Sequence, residues 1–357
     1  MAPDPREGMP SPRLDRQEFV ARFLGQYRDP AFEPLRLELD KLASAAWDAY
    51  ANQRKSPLTR KAGAGFADPD YELAIDWLAA RDAVLQAKAR HGDRTGPDRI
   101  LLINASSRSE HTCPGEMSKS YRLTEIAREV VAAAGARPTL LDLSRLASEY
   151  GRHIHPCKAC FSTAAPLCHW PCSCYPNYSL GQSQDWMNDI YPMWVEAHGI
   201  MIVTPVNWYQ VSSPLKLMMD RLVCADGGNP DPTRTHGKDA KRAKEIELEG
   251  WDYPRHLAGR SFAVVVHGDV EGAAGVRHSI ADWLTYMELE AAGSLAELDR
   301  YIGYWQPYAT SHIELDRDLA VQEEVRNAAR TLLDAVRAKR SGLQVSAGTG
   351  LAQPRQK

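Results

Sequence analysis

Apolar and polar positions along the chain fall into two alternating regimes. Short runs are apolar almost throughout: RILLINA at 99–105, TLLDL ending at Leu143, IMIV at 200–203 and SFAVVV at 261–266. Such runs, short and rich in β-branched residues, predict strands buried on both faces. Between them the apolar residues recur at helical spacing. Leu123, Ile126, Ala127, Val130, Val131 and Ala134 share one face, as do Leu215, Met218, Met219, Leu222 and Val223, and then Ile280, Trp283, Leu284 and Met287. Trp186 to Glu196 predicts a further helix, and Leu295 to Tyr304 a short fifth strand. Alternating strands and helices predict an α/β fold with a doubly wound parallel sheet covered on both faces. Right-handed crossovers favour the strand order 2-1-3-4-5 for its five strands.

The flanks read differently. Residues 1–96 predict an α-helical N-terminal extension with a disordered start, in which Phe19, Phe23, Leu35, Leu39 and Leu42 take helical spacings broken at Asp29-Pro30. Asp68-Pro69 is a good helix start, with Tyr71, Ile75, Leu78 and Leu85 on one face. The sheet domain spans 97–340, carries a Cys-rich insert at 156–176 and a long loop at 224–259, and ends in one helix from Asp316 to Arg340. Residues 341–357 read as a disordered tail.

Candidate chemistry gathers where strands end. After the first strand comes SSRSEHTCPGEMSKSYRL, a hydroxyl-rich loop leading into a helix. Backbone N–H groups and the helix dipole favour an anion there, with Ser106, Arg108, Ser118, Lys119 and Ser120 as donors. No G-x-G-x-x-G or Walker lysine pattern is present, so neither a standard dinucleotide loop nor an ATP loop is indicated. Thr204-Pro205 ends the third strand, because proline cannot continue a central ladder. An aromatic, polar loop follows, and Ser212 or Ser213 caps the next helix, with Pro214 in its first turn. The fourth strand runs into His267-Gly268-Asp269-Val270-Glu271-Gly272, where the glycines would let backbone approach a ligand.

Thr204-Pro205-Val206-x-Trp208-Tyr209, then Pro214-Leu215-Lys216 and Asp220-Arg221, resembles the flavin loop of the NADPH-dependent FMN reductase group of flavodoxin-like flavoproteins. The resemblance covers roughly Arg99 to Glu290 and implies a flavodoxin-like fold. It implies that Pro205, Val206, Asn207, Trp208 and Tyr209 lie along the isoalloxazine ring of FMN. Ser106, Arg108 and Ser120 match the family's phosphate loop, and the segment holding His267, Gly268, Asp269 and Gly272 completes the flavin pocket. The phosphate loop departs from the family's in two ways: Asn104-Ala105 occupy the place of the usual glycine, and Glu110 to Met117 lengthen the loop. The family's paired glycine is replaced by Gly272-Ala273-Ala274-Gly275. The implied reaction is hydride transfer from NAD(P)H to flavin N5, followed by reduction of a quinone, flavin or similar small acceptor. The alternatives are an electron-transfer flavoprotein with an iron–sulfur cluster and no small-molecule turnover, and a flavin-binding sensor. No protein nucleophile or catalytic acid is assigned, since the cofactor carries the redox chemistry.

Charge narrows the partners. A net charge of -3 over 357 residues argues against nucleic acid or an anionic membrane. No apolar run is long enough to cross a bilayer, and the first residues lack the apolar core of a signal peptide, so cytoplasm is the default compartment. A homodimer would suit a flavin pocket that needs a second wall. Of seven cysteines, five lie between Cys157 and Cys174. Cys157, Cys160, Cys168 and Cys172 are candidate ligands of an iron–sulfur cluster or of zinc, with Cys174 and His169 as further choices. The competing reading is free thiols or a redox disulfide. His236, Lys238 and Arg242 read as a solvated charged surface, the alternative being contact with the phosphate of NADPH or an acidic substrate.

Overall fold

The structure is a computed structural model that describes residues 12–54, 58–112, 115, 117–342 and 351. In chain order, α1 (Arg16–Leu24), a 3-10 turn and α2 (Arg36–Ala51) precede a hairpin of β1 (Thr59–Lys61) and β2 (Glu72–Ala74), which leads into α3 (Ile75–Gly92). The sheet domain follows with β3 (Arg99–Asn104), α4 (Lys119–Ala133), β4 (Arg137–Asp142), the single turn α5 (Arg145–Ser148), α6 (Met187–Glu196) and β5 (Gly199–Pro205). It continues with α7 (Ser213–Asp226), α8 (Ala240–Leu248), β6 (Ser261–Gly268), α9 (Ala273–Tyr286), β7 (Glu290–Ala291) and β8 (Glu297–Tyr301). The last elements are α10 (Tyr308–Arg317) and α11 (Leu319–Ser341).

The sheet runs β4-β3-β5-β6, and β7 and β8 pair in turn with the outer edge of β6. All of these pairings are parallel. With β7 and β8 sharing the last position, the order is the flavodoxin-like 2-1-3-4-5. The apolar runs are buried on both faces because successive residues point to opposite sides. Leu101, Ile103, Ile200, Ile202, Phe262 and Val264 pack on one side with Ile190 and Trp194 of α6, Leu215 and Met218 of α7 and Leu284 of α9. Ile100, Leu102, Met201, Val203, Ala263 and Val265 pack on the other with Leu123 and Ala127 of α4 and Val325, Leu332 and Val336 of α11. Truncating one of these leucines to alanine costs about 2–5 kcal/mol. Gly199 marks where α11 crosses the sheet: a Cβ there would lie 2.8 Å from Val336 Cγ2.

Several expectations need correction. Asp68-Pro69 starts no helix. It lies in the loop of the β1–β2 hairpin, where the Asp68 carboxylate accepts from Asp70 N at 3.1 Å and Ala62 N donates to Tyr71 O at 2.8 Å. The span 224–259 is more than a loop, since α8 forms within it, capped by Asp239. The terminal helix is two helices: Asp318 breaks the pattern and caps α11 by accepting from Val321 N. The expected disorder of the first residues and of the tail falls mostly outside the described residues, although α1 already begins at Arg16. Among the described residues, no helix is long and apolar enough to cross a membrane.

Candidate functional site

Three loops meet at the carboxyl edge of the sheet, around the crevice where open α/β folds take ligands. They enclose a cavity of about 400 Å³, within the range of about 300–1,000 Å³ usual for small-molecule sites. The β3–α4 loop contributes Ser106, Arg108, Ser118, Lys119 and Ser120, all expected from the sequence, together with Ser107 and Thr112. Pro205, Val206 and Asn207 come from the loop after β5, and His267, Gly268 and Asp269 from the end of β6. Trp208, Tyr209 and Gly272 do not line this cavity. Ile302, Ser107 and Thr112 do line it, and sequence reasoning did not select them. The two hydroxyl residues sat in plain view within the Ser-rich loop, but Ile302 arrives only because β8 pairs with β6, placing Ile302 N 2.7 Å from Gly268 O.

The β3–α4 loop gathers hydrogen-bond donors and positive charge at a helix N-terminus. Ser118 caps α4, its hydroxyl accepting from Tyr121 N at 3.1 Å, which leaves the helix N-terminus directed at the cavity with Lys119 and Ser120 in the first turn. Arg108 N donates to Ser106 Oγ at 3.1 Å, and Asn104 Oδ1 accepts from Ser106 N at 3.3 Å. Asn104 also donates to Asp142 Oδ1 of β4 at 2.7 Å, which explains an asparagine where glycine is usual: it ties the loop to the neighbouring strand. Ser212, the N-cap of α7, donates to Ala105 O and so fastens the β5 loop to the β3 loop.

His267 is buried beneath this donor set. Its Nε2 is 2.8 Å from Ser120 Oγ. Burial, and secondarily the positive Lys119, hold its pKa down to about 3, so the imidazole is neutral at physiological pH. The β5 loop is a tight turn in which Asn207 and Gln210 exchange backbone hydrogen bonds of 2.9 and 3.0 Å. Trp208 and Tyr209 form its tip in left-handed conformations, φ 49° and 65°, and are 90% and 64% exposed. Gly272 (φ +108°) lies against this turn: a Cβ there would come within 3.0 Å of Tyr209 Cδ1 and 3.1 Å of its Cα.

The cysteines form a separate neighbourhood. Cys160 Sγ lies 3.3 Å from Cys174 Sγ, while Cys157 pairs with Cys224 of α7. Among the described residues no group of three or more His, Cys, Asp or Glu is arranged to hold a metal ion. The expected iron–sulfur or zinc site at Cys157, Cys160, Cys168 and Cys172 thus finds no support: contacts between thiols join Cys157 to Cys224, and both Cys160 and Cys172 to Cys174. The ring nitrogens of His169 bond the hydroxyls of Ser173 and Thr235. Lys238 was expected in solvent but turns inward, its ammonium 2.7 Å from Leu167 O.

The flavodoxin-like sheet, with the α4 N-terminus and an aromatic turn side by side at its carboxyl edge, defines the class. The chain belongs to the NADPH-dependent FMN reductase family, whose profile matches residues 99–294. Members are FMN-binding oxidoreductases that draw electrons from NAD(P)H. No curated protein matches the chain. Similar solved structures include RosB with a bound 8-demethyl-8-formylriboflavin-5'-phosphate intermediate, at 14% identity over 70% of this chain and 83% of that one (TM-score 0.47). An NAD(P)H:quinone oxidoreductase from Methanothermobacter marburgensis is 16% identical over 69% of this chain and 96% of its own (TM-score 0.36). A flavodoxin, WrbA-like protein from Agrobacterium tumefaciens is 10% identical over 68% and 99% (TM-score 0.34).

Proposed function

We propose that FMN binds with its phosphate at the α4 N-terminus and its ring system along Pro205–Tyr209, and that the reduced flavin delivers electrons to a quinone, a second flavin or a similar flat acceptor. The observation that carries this reading is the convergence of the α4 N-terminus and the β5 turn on one cavity. The residues present fit the cofactor. Helix N–H groups, the hydroxyls of Ser106, Ser118 and Ser120, and the cations of Arg108 and Lys119 suit a phosphate monoester. Bound FMN supplies hydride acceptance and donation, so the chain needs no nucleophile of its own. Neutral His267 holds the Ser120 hydroxyl in place without adding charge, and the backbone of Trp208 and Tyr209 with the Asn207 side chain offers polar groups to the ring edge. The exposed Trp208 and Tyr209 would flank a planar molecule entering over the ring.

The test is an absorption spectrum of the purified chain under anaerobic conditions, alone, with added FMN, and then with NADPH or NADH. Flavin bands that bleach with a reduced pyridine nucleotide and recover on adding a quinone support the assignment. A chain that takes up no FMN refutes it. One that takes up FMN but is not reduced refutes the catalytic part alone.

A further inference from the structure

The flavin reading leaves a second, larger cavity unused. It measures about 860 Å³, against about 400 Å³ for the flavin cavity, and the two share no lining residue. Helix α3 of the N-terminal extension lines it with Asp76 and with Ala79, Ala80 and Ala83, whose small side chains leave the space open. The segment after α5 adds Glu149 and Arg152, the start of α6 adds Trp186 and Asp189, and Tyr178 completes the lining the argument needs.

The cavity has two chemically different ends. A neighbouring cavity of about 520 Å³ shares Ala83, Glu149, Arg152, Trp186 and Asp189 with it, but neither Asp76 nor Tyr178. Asp76 precedes Ala83 by seven residues of α3, about 10 Å along the helix axis. At the Ala83 end the Arg152 guanidinium lies 5.0 Å over the Trp186 ring and donates to Glu149 at 3.0 Å and to Asp189 at 3.4 Å. Its Nη2 makes no hydrogen bond among the described residues. Trp186 is only 7% exposed, yet among the described residues its indole N–H has no acceptor either. Buried donors are ordinarily satisfied, so this end calls for an acceptor from outside the chain. At the other end Asp76 accepts from the Tyr178 hydroxyl at 2.8 Å and enters no ion pair among the described residues.

Charge points the same way. Asp185 also lines the cavity, but its carboxylate is taken up by buried Arg221. Asp76, Glu149 and Asp189 remain against the single cation Arg152, and the balance stays negative even with Arg145 reaching Glu149 at 3.6 Å. Among the described residues no three acidic groups converge as they would around a metal ion. Carboxylates spread along a trough, with an aromatic ring at either end, suit an extended organic cation.

We propose that this cavity binds an α-amino acid with a cationic side chain, of the lysine or arginine kind. The ligand carboxylate accepts from the Trp186 N–H and Arg152 Nη2, and the α-ammonium is neutralised by Glu149 and Asp189. The side-chain cation reaches Asp76, beside the Tyr178 ring. A neutral amino acid brings nothing to Asp76, and a diamine leaves the Trp186 N–H without an acceptor. The inference does not depend on the flavin reading.

The experiment is titration calorimetry of the full-length chain at pH 7 and fixed ionic strength, with L-lysine, L-arginine, L-norleucine and cadaverine as separate ligands. Saturable one-to-one binding of lysine or arginine is expected, about tenfold or more tighter than that of norleucine, which lacks the side-chain cation, or of cadaverine, which lacks the carboxylate. Asp76→Asn should weaken lysine binding about threefold to fivefold. Trp186→Phe, which keeps a ring and removes the N–H, should weaken it about 2- to 13-fold. The comparison of the four ligands on the wild type needs no variant to fold. Excess FMN should leave the lysine constant unchanged. Absence of saturable lysine and arginine binding, norleucine or cadaverine binding as tightly as lysine, wild-type affinity in Asp76→Asn, or displacement of lysine by FMN would each overturn the proposal.

Discussion

The contact between His267 and Ser120 makes a quantitative prediction. The two side chains meet at 2.8 Å, both buried, directly under the proposed phosphate. Replacing His267 by leucine removes the partner of the Ser120 hydroxyl while keeping the site filled. A net hydrogen bond of this kind contributes about 0.5–1.5 kcal/mol, so the Kd for FMN should rise about 2- to 13-fold. Ser120→Ala should weaken binding at least as much, since it removes both the phosphate donor and the histidine's partner. The double variant should be no weaker than Ser120→Ala alone, because the histidine acts only through the hydroxyl. Quenching of FMN fluorescence on titration with the apoprotein, at fixed ionic strength, gives all four constants. A His267→Asn variant adds a pH arm: with the imidazole neutral down to about pH 3, the ratio of variant to wild-type Kd should be flat between about pH 5 and 8. Strict additivity of the two substitutions would refute the argument. So would a Kd ratio that swings through pH 6.5, since the imidazole would then be titrating in the working range.

Three further outcomes are expected. Gly272→Ala forces a side chain into φ +108° against Tyr209; the strain, about 1–3 kcal/mol, should lower the melting temperature and weaken FMN binding, and an unchanged pair of values would show that the turn is free to move. Arg221 and Asp185 form an ion pair that is almost completely buried, with Arg221 also 2.9 Å from His155 O and stacked 4.6 Å over the Tyr175 ring. Arg221→Met should cost about 3–5 kcal/mol in urea unfolding by stranding the carboxylate, with Arg221→Met/Asp185→Leu recovering part of the loss; a single variant as stable as wild type would refute the buried pair. Acid should destabilise the fold from about pH 6.5 downward, because burial lowers His91 to about 4, His267 to about 3, and His198 and His256 in the same direction. These four take up protons on unfolding, so stability falls with pH between 6.5 and the folded values. Buried Asp226, raised to about 7, opposes this as a single group. A thermal midpoint that stays level from pH 7 to 5 would contradict it.

How far the sequence foretold this depends on whether a feature is local. Strands such as 199–205 and the Ser212 cap announce themselves, because burial on both faces and capping are written in neighbouring residues. Three of the flavin-loop and glycine-loop expectations, Trp208, Tyr209 and Gly272, miss the cavity because the turn at 207–210 points its tip outward, a matter of backbone torsion rather than residue type. Asp68-Pro69 has the chemistry of a helix start, but the pairing of Thr59 with Ala74, fifteen residues further on, draws the segment into a hairpin. Lys238 resembles any surface lysine until the fold brings the insert over it. Ile302 enters the site only through the pairing of β8 with β6.

Trp208 and Tyr209 carry one last consequence. Two successive side chains in left-handed backbone cost roughly 1–2 kcal/mol each, and the folded chain bears that cost before any ligand arrives. The turn is held by its own hydrogen bonds and by the helix cap behind it, so its conformational entropy is already lost in the free protein. A ligand settling on it has little ordering left to do. Its calorimetric signature should therefore be that of a preformed surface, with a heat-capacity change set by the apolar area of the two rings and not by the folding of a loop.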